Sequence, residues 1–276
     1  MTDTFNRRAL LALATAVGTG AAMPSLAQHL DRAGDKHMDD MMAIPPDSPV
    51  VAMLIHPKMI ALDLIGPMTV LNILRCRIDL VWKDKTPIST ELGIPFTATR
   101  TFEDCPRDLD VLLVPGGILG TIDCMNDPQV MAFLADRGSR AKWVTSVCTG
   151  GLAVAAAGLL KGYDATAHWT IADLLPLMGA RHVDRRVVAD RNRMTCGGVT
   201  AGIDLALTLA AELRGEEAAR NVQLIMEYSP MPPFRNGTPA EAGPDRVTAM
   251  RARRTWMDAQ AMSAATAAGK RLGIPV

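Results

Sequence analysis

"KWVTSVCTGGLAVAAAGLL", Lys142 to Leu160, changes character at a single residue. Ahead of Cys148 run β-branched and aromatic side chains (Trp143, Val144, Thr145 and Val147), the composition of a strand. Behind it come Gly150, Gly151 and an alanine-rich run with helical character. A strand that turns sharply into a helix lifts the residue at the joint above the sheet and needs small neighbours. Ser146 and Gly150, on either side of Cys148, meet that need, so the stretch reads as a nucleophile elbow with sulfur as the nucleophile. The leading amides of the helix then face the sulfur, which predicts a thiolate with a depressed pKa.

Outward from the elbow, short apolar runs alternate with helical patterns. "VVAMLI" (Val50 to Ile55), "IDLVWK" (Ile78 to Lys83) and "LDVLLVPGG" (Leu109 to Gly117) read as strands, with "KWVTSV" the fourth. Pro67 stands where a helix would begin, Asp127 would cap "PQVMAFLADRGSR", and "RVVADRNRMTC" reads as a hairpin about Asp190-Arg191-Asn192. Thr200 to Leu213 is apolar nearly all round and predicts a buried helix. Alternating strands and helices predict an α/β fold, a mostly parallel central sheet with helices on both faces. Ligands of such sheets sit beyond the carboxyl ends of the strands. Asp63, Gly116-Gly117 and Cys148 all fall at those ends and should converge.

The rest of the chain sets limits. Apolar residues make up 49% and charged residues 21% of 276, and 29 basic residues balance 29 acidic ones, so the basic footprint of a nucleic-acid binder is lacking. The partner expected is a small molecule or another protein. Residues 1–27 carry Arg7-Arg8, an uncharged run from Ala9 to Ala22, then Ser25-Leu26-Ala27. This three-part pattern reads as a twin-arginine-type export signal cleaved near Ala27-Gln28, which predicts a periplasmic or secreted protein, with cytoplasmic retention the alternative. Residues 28–49 read as a linker. Its "HMDDMM" offers copper-type ligands, but nothing fixes their geometry. Residues 50–228 form the catalytic domain, and 229–276 a Pro/Gly-rich connector followed by one helix, Arg246 to about Lys270, packed on the core or on a dimer partner. The five cysteines show no metal-type spacing, and an odd number leaves at least one thiol unpaired.

Several residues gain candidate roles. Thr149 offers its N–H and hydroxyl to the sulfur, and the amides of Gly116 and Gly117 could complete an oxyanion-type site. Asp63, an acid among apolar residues, either caps the Pro67 helix or sits beside the thiol and shares a proton with it. His168 in "YDATAHW" either pairs with Cys148, as in a hydrolase, or is a structural histidine bonded to backbone.

With these residues identified, "LDLIGP", "FEDCPRDLDVLLVPGG", "VTSVCTGGLAVAAAGLLKGYDATAHW", "TCGGVTAGIDLALTLAAEL" and "VQLIMEYSPMPPF" together resemble the ThiJ/PfpI-type, class I glutamine-amidotransferase-like superfamily, and within it the isonitrile hydratases. The resemblance runs from about Val50 to the C-terminus. It implies a flavodoxin-like three-layer α/β sandwich, a homodimer, no metal or organic cofactor, and a hydro-lyase with Cys148 as nucleophile, Asp63 as its acid/base partner and Thr149 supporting the sulfur. Gly116, Gly117 and Gly150 would line the substrate, with His168 and Gly197 accessory. The reaction implied is hydration of an isonitrile to an N-substituted formamide through a thioimidate. The chain departs from the family pattern at Cys196, where relatives carry glycine, and at His56, where they carry an aromatic. Related domains also occur in AraC-type regulators, hydrolases, glyoxalases and redox-responsive proteins. The residues after Tyr228 are too few for the paired helix-turn-helix of the first, while the others remain as alternative readings.

Overall fold

Val51, Met53 and Ile55 point to one side of the first strand and Ala52 and Leu54 to the other, and all five are fully buried. A strand buried on both faces belongs in the middle of a parallel sheet covered by helices twice over. The computed structural model, which describes residues 43–275, has that form. Strand β1 (Val50–Leu54) leads to helix α1 (Ala61–Ile73), then β2 (Arg77–Trp82), a short hairpin β3–β4 (Ile88–Ser89 and Pro95–Phe96), and β5 (Arg100–Thr101). There follow β6 (Val111–Val114), α2 (Ile118–Asn126), α3 (Pro128–Arg140), β7 (Trp143–Ser146) and α4 (Gly150–Ala156). Beyond these lie β8 (Asp164–Ala165), a 3-10 helix (Ala172–Met178), β9 (Arg181–His182), β10 (Val187–Asp190), β11 (Arg193–Cys196), α5 (Ala201–Arg214) and α6 (Glu216–Ile225). The chain closes with α7 (Pro239–Ala242), α8 (Pro244–Ala252) and α9 (Thr255–Arg271).

Seven strands form the main sheet in the order β10-β11-β7-β6-β1-β2-β5. All pair in parallel except β10 with β11, the hairpin expected about Asp190 to Asn192. One face is covered by α1, α5 and α6, the other by α2, α3, α4, the 3-10 helix and α9, which makes the flavodoxin-like sandwich. From β1 the order runs outward through β2 on one side and β6 on the other. The carboxyl ends of β1 and β6 therefore flank the crevice where such sheets take ligands.

Four sequence expectations are corrected here. Pro67 lies inside α1 rather than at its start, because the first amide of the helix, Ala61 N–H, is held by the Glu91 carboxylate at 2.8 Å. Asp63 is thus a first-turn residue of α1, not the cap of a later helix. The C-terminal helix is two, α8 and α9, broken at Arg253-Arg254. It packs on the core, where Ala261, Ala264, Ala265 and Ala268 bury a narrow small-residue stripe. Helix α5 buries one face only, with Ile203 and Leu207 part-covered. As expected, Asp127 caps α3, accepting from the Gln129 and Val130 amides. The export-type segment 1–27 and the "HMDDMM" stretch lie outside the described residues.

Candidate active site

Cys148 has φ of 58°, a left-handed conformation that costs a non-glycine residue energy and marks a sharp turn. The turn is held from three sides. Cys148 N–H donates to Gly197 O at 2.9 Å, Val147 N–H to Val114 O at 3.0 Å, and His168 N–H to Cys148 O at 3.2 Å. Gly150 is needed for close approach, since a Cβ there would lie 2.7 Å from Pro115 O. Gly197 therefore serves the elbow through its carbonyl, while its own N–H is bonded to Arg186 O.

Asp63, fully buried, comes from α1 on the far side of the crevice, and its carboxyl and the Cys148 thiol each act on the other's proton. Its Oδ2 accepts from Gly116 N–H at 2.9 Å, and among the described residues the buried Oδ1 has no hydrogen-bond partner. Burial pushes the carboxyl up to about 7, against the pull of the Gly116 amide and the thiol, and the Glu91 charge adds to the rise. The backbone amides of Thr149 and Val199 favour the charged form of the sulfur. The Thr149 hydroxyl accepts from Gly117 N–H at 2.9 Å and pairs with the Thr121 hydroxyl at 2.9 Å.

Two sequence-derived roles change with this geometry. Gly116 and Gly117 do not supply free oxyanion donors: their amides are spent on Asp63 and Thr149, the two groups that serve the sulfur. Nor does the helix end depress the thiol. Burial first, and the Asp63 charge second, push Cys148 up to about 12, outweighing the amides of Val199 and Thr149. Helix α4 has only 7 residues, and a helix so short has little dipole to offer. At neutral pH the resting pair is a protonated thiol beside a carboxyl near its midpoint.

His168 does not complete a dyad. Its Nδ1 faces the Thr170 hydroxyl at 2.8 Å and accepts from Thr170 N–H at 3.3 Å, which fixes the proton on Nε2. Burial, then the Arg254 charge, push it down to about 4, with Asp258 opposing. The ring is turned to the start of α9, and only the backbone N–H meets Cys148. Cys76, Cys105, Cys124 and Cys196 are free, buried and pushed up by burial, as packing cysteines are. Cys196 adjoins the site, since the Cys148 N–H also faces its sulfur. Among the described residues no three His, Cys, Asp or Glu side chains gather to hold a metal ion. Sequence reasoning missed Val199, Thr121 and Glu91, none of which carries a local signal. Each is identified only by what folds against it.

A profile described as the DJ-1/PfpI family matches residues 49–212. The chain is 50% identical to the isonitrile hydratase of Pseudomonas putida over 193 residues, 70% of this chain and 84% of that protein. It is 30% identical to the Parkinson disease protein 7 homolog of Danio rerio over 144 residues, 50% of this chain and 75% of that protein. Among solved structures, a ThiJ/PfpI family protein from Pseudomonas syringae superposes with a TM-score of 0.77 at 42% identity, covering 89% of this chain and 98% of that one.

Proposed function

The chain belongs to the DJ-1/PfpI family, and from that premise we propose that it hydrates isonitriles to N-substituted formamides, with Cys148 as nucleophile and Asp63 as proton carrier. The observation that carries this reading is a buried thiol and a buried carboxyl, the latter pushed up to about 7, brought to the same turn, where Asp63 Oδ2 and the Thr149 amide both crowd Gly116. An isonitrile's terminal carbon must receive a nucleophile and a proton on the same atom. A general acid/base therefore has to stand beside the attacking group, and no separate cofactor is called for. The 50% identity to an isonitrile hydratase supports the same assignment.

In the first step the Asp63 carboxylate takes the thiol proton as Cys148 Sγ bonds to the isonitrile carbon. Asp63 then returns that proton to the same carbon, giving a thioimidate, R–N=CH–S. Water adds across the C=N bond, its proton passing to nitrogen. The tetrahedral adduct expels the sulfur, which regains a proton, and R–NH–CHO leaves. The amides of Thr149 and Val199 follow the sulfur through its changes of charge. The competent state carries one proton between Asp63 and Cys148, so the rate should rise with pH through about 7.

The decisive experiment follows the N≡C infrared band of an alkyl isonitrile with purified protein. Formamide should accumulate with the wild type and at only the buffer rate with Cys148→Ala; a wild type no faster than buffer would reject the reading. The working unit in this proposal is a homodimer, which light scattering should report as twice the mass of the chain. Export by residues 1–27 is also part of it, and the mature protein recovered from the periplasm should begin near Gln28.

A further inference from the structure

His56 has no place in that chemistry, yet it is buried to 1% exposure just past the carboxyl end of β1, beside the β1/β6 crevice. Its Nδ1 lies 3.0 Å from Pro57 O and its Nε2 3.3 Å from Pro115 O. The Pro115 carbonyl and the Gly116 amide are two ends of one peptide group. The other end donates to Asp63 Oδ2 at 2.9 Å. The chain of contacts is therefore His56 Nε2, O=C, N–H, carboxylate, with a single peptide between ring and acid. A hydrogen bond into a carbonyl polarises the amide and strengthens its N–H as a donor, by roughly 10–30% per bond. Space for the ring is made by Gly120 of α2, where a Cβ would lie 2.5 Å from Nδ1.

We propose that His56 is a positioning residue for Asp63, orienting and polarising the Pro115–Gly116 peptide so that its amide holds the carboxylate. This rests on Asp63 being the working carboxyl of the proposed reaction. A neutral imidazole has one N–H and here faces two carbonyl oxygens, so the assignment requires that the Pro115-facing nitrogen carry it. The charges around the two groups are few. Asp123 of α2, itself paired with Lys58 at 3.1 Å, acts on His56; Glu91, Cys148 and Cys196 surround Asp63.

The first test needs no variant. Nitrogen-15 NMR of histidine-labelled wild type should find Nε2 of His56 protonated between pH 6 and 9. A ring protonated on Nδ1 alone overturns the proposal. The second follows the Asp63 carboxyl by carbon-13 NMR, assigned with Asp63→Asn. His56→Phe should raise its midpoint by about half a pH unit, because a weaker Gly116 donor stabilises the carboxylate less. His56→Gln, whose side-chain amide reaches Pro115 O, should bring it back toward the wild-type midpoint. A Phe variant that titrates with the wild type, or Phe and Gln variants displaced alike, would leave His56 as filler and refute the role. The acidic limb of isonitrile turnover should move with the carboxyl. If the wild type makes no formamide, the proposed reaction fails while the tautomer and the carboxyl titration still decide the part played by His56.

Discussion

Asp63 and His168 flank the same elbow and have opposite relations to it. His168 is close to Cys148 in the chain and donates its backbone N–H to the Cys148 carbonyl, yet its ring is committed to Thr170 and faces Arg254 and Asp258 at the head of α9. Asp63 stands far off in the sequence, on the helix after β1, and its carboxyl and the sulfur act on each other's protons. Burial acts on both, but with opposite sign: it makes the acid hold its proton and the base lose one. What distinguishes them is the company each keeps. The Asp63 side is tied through Gly116, Gly117, Thr121 and Thr149 into one hydrogen-bonded unit around the thiol. The His168 side is tied to a wall. Nearness along the chain is a poor guide to chemical partnership in this fold, and the crevice between diverging strands is a good one.

The contrast can be broken most directly at Asp63. Asp63→Asn should lower kcat/KM by about 10²–10⁴-fold, the usual worth of a positioned acid/base. It should also stabilise the fold. A carboxyl whose folded pKa is raised to about 7 contributes stability fully present below its unfolded value near 3.8 and lost as pH climbs through 7. Asparagine escapes that loss, so urea unfolding at pH 8 should find the variant about 3–4 kcal/mol more stable, with the gap closing near pH 4. Equal stability at pH 8 would mean that burial does not hold the Asp63 proton as described above.

Thr149→Val keeps the shape and removes the hydroxyl, leaving the buried Gly117 N–H without its acceptor. We expect a loss of about 1–3 kcal/mol in unfolding free energy and about a tenfold slower rate, since the Thr149 N–H on the sulfur is retained. A rate unchanged under the same stability loss would confine Thr149 to scaffolding.

His168→Gln should sharpen the comparison by doing little to the rate, within about threefold of wild type on the same isonitrile assay. Its effect belongs to stability in acid. A histidine held down to about 4 from its usual 6.5 must be charged on unfolding, so it takes stability away as pH falls from 6.5 toward 4, by about 3 kcal/mol over that window. Glutamine should remove this slope, which runs against that of Asp63 and is therefore read from the single variants. An inactive His168→Gln beside an active Asp63→Asn would exchange the two roles and favour a hydrolase.

Much of this site is legible in the sequence because local rules and fold rules agree there. The two-sided burial of Val51 to Ile55, the antiparallel hairpin at Val187 to Cys196 and the small residues about Cys148 each carry a signal within a few positions. Asp63, Gly116-Gly117 and Cys148 could be brought together from topology alone, since strands of a parallel sheet end on one side. The rest depends on tertiary cover. The start of α1 is set by Glu91, which reaches it from the β3–β4 hairpin, so Pro67 misleads. The state of the thiol is set by how much protein lies over it, and no neighbour in "SVCTG" reports that. The amides after β6 looked free because their acceptors, Asp63 and Thr149, come from other elements.

Only 5% of Cys148 is exposed. For the reaction proposed above, a sulfur so covered should favour a reagent whose reactive atom sits at the tip of a slender, unbranched stem. The linear N≡C group is such a tip, whereas a branched acyl carbon presents its shoulders before its centre. On the proposed reaction the depth of the sulfur would thus act as a gauge of the width of a reagent's head.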